Sequence, residues 1–180
     1  MRHTSFAPVP QSMYYQVTIN VVGSVMNARP AAYFYVGNNL EYLPNPKHLQ
    51  ENARVFSKFA LYLNDNGSYQ FRDVNQNNTS TAITGPTQVT WVMNNESSAF
   101  NYLSPLGTLE PLGAGRYDIW LNNSKWISNA NRISSVPLAN ISFAFYNGSA
   151  EIQLSNYLIR DVNGILPLPI TDFQAKRHNE

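Results

Sequence analysis

RVFSKFALYLNDNGSYQFRDV, residues 54–74, alternates apolar and polar positions on either side of a four-residue polar break. Val55, Phe59, Leu61 and Leu63 share one face of an extended segment, interrupted only by Ser57. A period of two marks a half-buried strand, because successive side chains of extended backbone point to opposite faces. The break, Asn64-Asp65-Asn66-Gly67, ends in Asn-Gly, a pair that tolerates the positive φ of tight hairpin turns. Residues 68–74 return as a second strand, so the stretch predicts an antiparallel hairpin with one buried face.

The same grammar extends outward in both directions. Tyr14–Val25 sets Tyr15, Val17, Ile19 and Val21 on one face, and a short run 31–36 ends at Gly37-Asn38-Asn39. Downstream, 88–93 groups Val89, Trp91 and Met93, and 115–121 groups Tyr117, Ile119 and Leu121. Residues 140–146 set Ile141, Phe143 and Phe145 inward, Asn147-Gly148 turns into 150–154, and 156–162 ends at Asn163-Gly164. Eight or nine short strands separated by turn signals predict an all-β, single-domain antiparallel β-sandwich over residues 1–180. A jelly roll is the favoured winding, since immunoglobulin-like domains run nearer about 100 residues. Helix is confined to one or two turns after Asn45-Pro46. The connections 75–86 and 94–114 are long polar or Pro/Gly-rich loops, a length that points to functional or interface-forming segments.

Composition narrows the chemistry. The chain holds 23 Asn, as many as its 23 charged residues (12 Lys+Arg and 11 Asp+Glu), and no cysteine. Neutral amides and hydroxyls therefore cover much of the exterior, where interspersed charge is usual. A formal net charge of +1 leaves no broad electrostatic footprint for nucleic acid outside the basic tails. The absence of cysteine excludes disulfides and thiolate metal sites. No apolar run reaches the about 20 residues of a membrane span, and the N-terminal stretch lacks the apolar run of a secretory leader. Seven Asn occur in Asn-x-Ser/Thr contexts, which abundant Asn, Ser and Thr produce by chance.

Catalytic constellations find little support. His3 and His178 lie in polar ends, and His48 beside Lys47 reads as a solvated histidine. Among the carboxylates (Asp73, Glu110, Asp118, Glu151 and Asp161), Asp118 shares a strand face with Arg116, two residues away, and predicts a structural ion pair. Placing Gly67 as the glycine of a calcium loop puts Tyr62 where the first carboxylate ligand belongs, so the hairpin turn explains 64–67 better. No cofactor or metal is expected.

The aromatics and the chain ends remain. Trp91 falls on an apolar face and belongs to the core. Trp120, opposite Tyr117 and Ile119, and Trp126, after the polar turn Asn122-Asn123-Ser124-Lys125, are candidate interface or glycan contacts together with Asn122 and Asn123. Arg2 and His3, Lys176 and Arg177, and the Leu166 and Leu168 of ILPLPI (165–170) define extended assembly arms at about 1–12 and 165–180. The expectation is a non-enzymatic structural subunit of a larger assembly, a virion protein such as a minor capsid, vertex or decoration component. Its partners would be copies of itself and other structural proteins, its site of synthesis a host cytoplasm. A carbohydrate-binding module or lectin is the alternative.

Overall fold

A computed structural model describes residues 2–22, 27–41, 49–162 and 170–175. Strand dominates: β1 (Arg2–Phe6), β2 (Ser12–Val22), β3 (Ala28–Gly37), β4 (Val55–Leu63), β5 (Tyr69–Asp73), β6 (Asn78–Thr79) and β7 (Thr87–Asn94) form the first half. The second half contains β8 (Phe100–Leu103), β9 (Leu109–Leu112), β10 (Arg116–Leu121), β11 (Ser124–Asn131), β12 (Asn140–Phe145), β13 (Glu151–Arg160) and β14 (Ile170–Ala175). One sheet runs β14-β1-β12-β3-β4-β5-β6, a second runs β11-β10-β7-β2-β13, and β8-β9 is a separate ribbon. All pairings are antiparallel, and the two large sheets pack face to face as a sandwich. This order, with β3 to β6 paired consecutively in one sheet, does not by itself establish a jelly-roll winding.

The predicted inward faces meet between the sheets, except that Val55 packs with Tyr33 and Tyr35 on the outer face and Phe56 turns inward, because the β3–β4 pairing shifts register there. Phe34 stacks on Phe59 at 4.7 Å between centroids, and Phe59 meets Trp91 of the opposite sheet edge-on at 5.0 Å. Each such fully buried side chain contributes about 1.5–3 kcal/mol through removal of apolar surface from water. Two tyrosines then tie sheet to sheet by polar contacts. The Tyr69 hydroxyl lies 2.6 Å from the Gly85 carbonyl and 3.0 Å from Thr87 Oγ1. The Tyr117 hydroxyl donates to Asp73 Oδ2 at 2.6 Å, while Asp73 Oδ1 accepts the amides of Asn75 and Gln76. Asp73 is thus a buried carboxylate with its oxygens occupied.

Several expectations need correction. The polar turn read at 122–125 is shorter, since β11 begins at Ser124, and 94–114 contains the β8-β9 ribbon. Both lack clean alternation, β11 because its pairing with β10 shifts twice. The runs 150–154 and 156–162 are one strand, β13, bulged where Asn156 takes a φ of 53°. Between 49 and 56 the only helical element is a 3-10 turn at Asn52–Arg54. Arg2 and His3 do not extend away from the domain: they lie in β1, hydrogen-bonded to β12 on one side and β14 on the other. Residues 42–48, with Asn45 and His48, and residues 163–169, with Leu166 and Leu168, lie outside the described residues, as do Lys176 and Arg177.

Candidate functional site

The outer surfaces of the two sheets carry the charged and aromatic groups that could do chemistry, and they differ in kind. On the five-stranded sheet the outward residues of β10 and its neighbours, Tyr14, Val92, Asp118 and Trp120, lie beneath the β8-β9 ribbon, which covers them with Tyr102 and Leu112. Asp118 is 0% exposed, and both of its oxygens are engaged. The Tyr102 hydroxyl donates to its Oδ2, Lys125 Nζ lies 2.9 Å from that oxygen, and the Asn129 amide donates to Oδ1 at 2.6 Å. Lys125 reaches Glu110 Oε2 at 2.8 Å, and its ammonium sits 5.0 Å above the Trp120 ring. Trp120 Nε1 donates to the Tyr102 hydroxyl at 2.8 Å.

Backbone geometry makes this network. Asn129, at φ 50°, belongs to the second irregularity of β11, so its amide leaves the ladder and turns to Asp118. Burial pulls the Lys125 ammonium down in pKa, but its bonds to Glu110 and Asp118 more than offset that and the net shift is up. Burial first, then the bond to Asp118, raises the Tyr102 hydroxyl well above the ordinary tyrosine range. A lysine held charged and a tyrosine held neutral are poor nucleophiles and bases. The cluster fastens the ribbon to the sheet.

The ribbon's other face is apolar and open. Leu103 (51% exposed) pairs across the ribbon with Leu109 (69%), and Leu106 (56%) sits at the tip. The tip is a three-residue loop, Pro105-Leu106-Gly107, closed by Ser104 and Thr108 through a backbone bond of 2.9 Å. Gly107 takes the positive φ of 75° that such a loop requires at its last position. Ser104 Oγ also accepts the amide of Leu106 at 3.2 Å and lies 2.8 Å from Thr108 Oγ1. Leu106 is therefore presented on a hydrogen-bonded turn.

The residues expected to contact a partner separate from one another. Trp120 is 3% exposed, under the ribbon, so it is not a surface platform. Trp126 is half-buried on the opposite side of the sheet, against Phe71 at 6.2 Å, because a bulge inserts it between Lys125 and Ile127 in the pairing with β10. The two tryptophans form no common surface. Asn122, at φ 53°, exchanges two bonds with the Gln88 backbone, and Asn123 is exposed beside it. The predicted Arg116–Asp118 pair does not form: Asp118 turns to Lys125, and Arg116 donates to the Asn129 carbonyl.

The seven-stranded sheet's outer face was missed by sequence reading. In β3 and β4, Tyr33 and Tyr35 point outward with Lys58, Ala60 and Tyr62, joined by Tyr146 after β12. Tyr33 stacks on Tyr35 at 5.5 Å and meets Tyr146 edge-on at 5.9 Å. Tyr35 lies directly between Ser142 and Lys58 in register. Ser142 is 0% exposed, and its hydroxyl has no hydrogen-bond partner among the described residues. The signal was present: alternate tyrosines on the second face of β3 make both of its faces apolar or aromatic, which a one-sided period-two reading overlooks.

Lys58 is 9% exposed, and its Nζ donates to Asn52 Oδ1 at 2.9 Å. Burial lowers its pKa. Among the described residues it has no carboxylate partner, and no group of His, Cys, Asp and Glu is placed to hold a metal. No described helix is long and apolar enough to cross a membrane. Comparison with known protein families finds no matching model, and comparison with curated proteins finds no matching relative.

Proposed function

We propose that this chain is a non-enzymatic structural subunit of a larger assembly, a virion component such as a minor capsid, vertex or decoration protein. The observation that carries the reading is the outer face of the β8-β9 ribbon. Leu103 and Leu109, paired on the two strands, and Leu106, at the hydrogen-bonded tip, are exposed, while the other face of the ribbon is anchored by Tyr102, Glu110 and Leu112. An apolar knob left largely in water contributes little to the stability of its own domain. It lowers the ordering cost of docking into a neighbour. The neutral, Asn-rich exterior fits repeated packing against like subunits, since little charge must be desolvated at each contact.

Light scattering and electron microscopy on the purified chain and on its native particles test this. Oligomers that dissociate on Leu106→Asp or Leu109→Asp, with the fold retained, are the expected result. A strictly monomeric chain, found free in its native setting, would remove the proposal.

A further inference from the structure

Four strands end the two large sheets, and they differ in how much unpaired backbone they present. β6 has two residues and β14 has six; β11 has eight, but it shifts register twice and its Asn131 carbonyl accepts from Asn75. β13 has ten residues, pairs with β2 on one side and ends the five-stranded sheet on the other. Among the described residues no backbone hydrogen bond reaches its outer edge. None of its residues is buried, and Tyr157 and Leu158 are 41% and 37% exposed. Such an edge carries a row of free N–H and C=O groups, ready to pair with another strand.

The sequence of β13 indicates which strand fits. Its two charged residues, Glu151 and Arg160, stand at opposite ends with opposite sign. Neither has a counter-charge among the described residues. Glu151 accepts a bond from Gln153, and Arg160 lies over the Tyr14 ring at 4.3 Å with its buried Nε unpartnered. Two copies of β13 running antiparallel set Glu151 of each opposite Arg160 of the other, so the contact is complementary in charge at both ends. The same register sets Ile152 opposite Ile159. Residues opposite one another in antiparallel strands share a face, whereas 152 and 159, an odd number of positions apart, lie on opposite faces of a regular strand. The extra residue at the Asn156 bulge reverses the alternation, and Ile152 and Ile159 both pack toward the core. The bulge thus makes β13 complementary to itself in the register that its charges select.

We propose that two copies of this chain pair antiparallel along β13 across a twofold axis, joining their five-stranded sheets into one continuous sheet. The Glu151–Arg160 and Ile152–Ile159 pairs, each formed twice, flank the two bulges, and Tyr157 and Leu158 are covered between them. A twofold contact is closed: each copy uses its edge once, so the strand is satisfied without templating a fibre. The contact lies on β13 and not on the ribbon, so it holds whether or not the ribbon docks into a neighbour.

Sedimentation velocity of the full chain over a concentration series tests this. A monomer–dimer equilibrium is expected, with the amides of 151–160 slower in hydrogen exchange where the dimer is populated. Glu151→Arg, at an exposed position, should weaken the dimer at least about tenfold with an unchanged melting transition, because it sets arginine against arginine at both ends. Leu158→Asp gives a second disruption that leaves Arg160 on Tyr14. Arg160→Glu should weaken the dimer in the same way, by setting glutamate against glutamate. Mixing Glu151→Arg with Arg160→Glu restores opposite charges, and the mixed dimer should be at least about tenfold tighter than either variant alone. Leu106→Asp leaves this dimer intact, which separates it from the ribbon contact. A chain that sediments as a monomer at every concentration, a dimer that both Glu151→Arg and Leu158→Asp leave as tight as before, or a mixture no tighter than its folded components would each overturn the proposal. So would a dimer lost on Leu106→Asp and kept on Glu151→Arg, a result that leaves the ribbon reading standing.

Discussion

Lys125 and Lys58 both lie beside a buried tyrosine on the outside of a sheet, and they are treated in opposite ways. Lys125 touches two carboxylates, accepts the field of two aromatic rings and is held charged. Lys58 touches one amide oxygen, and burial works against its charge. Where the cation is matched, every polar group of the cluster has a partner within the chain and the result is a fastened ribbon. Where it is unmatched, the sheet keeps a cost that its own packing does not repay.

The comparison breaks most sharply on substitution by methionine, which keeps length and removes charge. Lys125→Met leaves Asp118 buried beside Glu110 without a cation and should cost about 3–5 kcal/mol in urea or guanidinium unfolding. Tyr102→Phe removes one donor to Asp118 and the acceptor for Trp120 Nε1, an expected loss of about 1–3 kcal/mol by the same measurement. Lys58→Met should change stability by less than about 1 kcal/mol, or raise it. If Lys58→Met proves as damaging as Lys125→Met, the contrast between the two faces is wrong.

Alkaline unfolding sharpens it further, because the two lysines have opposite signs. The folded Lys58 releases its proton below the 10.5 of an unfolded lysine, so between those values the unfolded chain binds more protons and stability rises with pH. The folded Lys125 keeps its proton longer; its contribution is complete below 10.5 and is lost as pH climbs through the higher folded value. Burial raises Tyr15, Tyr35, Tyr102 and Tyr117 as well, and all of them add to the alkaline loss. Differences between wild type and each methionine variant isolate the lysines from this common background. The smallest effect belongs to the ribbon tip: Leu106→Asp should alter stability by no more than about 0.5 kcal/mol while changing association in light scattering.

Period-two patterning made the sandwich legible, since Val89-Trp91-Met93 and Tyr117-Ile119-Leu121 each needed only one buried face. It failed where a strand departs from that condition. β11 shifts register twice and places both Trp126 and Ile127 toward the core, so its sequence reads as a loop. Phe100–Leu112 conceals a hairpin because its inward face is Tyr102 and Leu112 while its outward face is also Leu. Gly37 in Gly37-Asn38-Asn39 signals the end of a strand, yet it still pairs in β3; a Cβ there would collide with the Arg54 carbonyl, where the returning chain crosses. The Asp118 cluster was invisible because its partners, Tyr102, Glu110, Lys125 and Asn129, come from three strands that only the folded topology gathers. Arg116, the neighbour in sequence, was the wrong partner for the same reason.

The pairing of β1 with β14 also has a kinetic side. Arg2 stands opposite Ala175, and the strand between them and the rest of the sheet, β12, begins only at Asn140. Residues 2–6 therefore have both hydrogen-bonding edges open until residues 140–145 and 170–175 have been made. Pairings of such long separation fold slowly and leave strand edges available to other chains in the meantime. A nascent chain of this topology keeps β1 adhesive until β12 and β14 have been made.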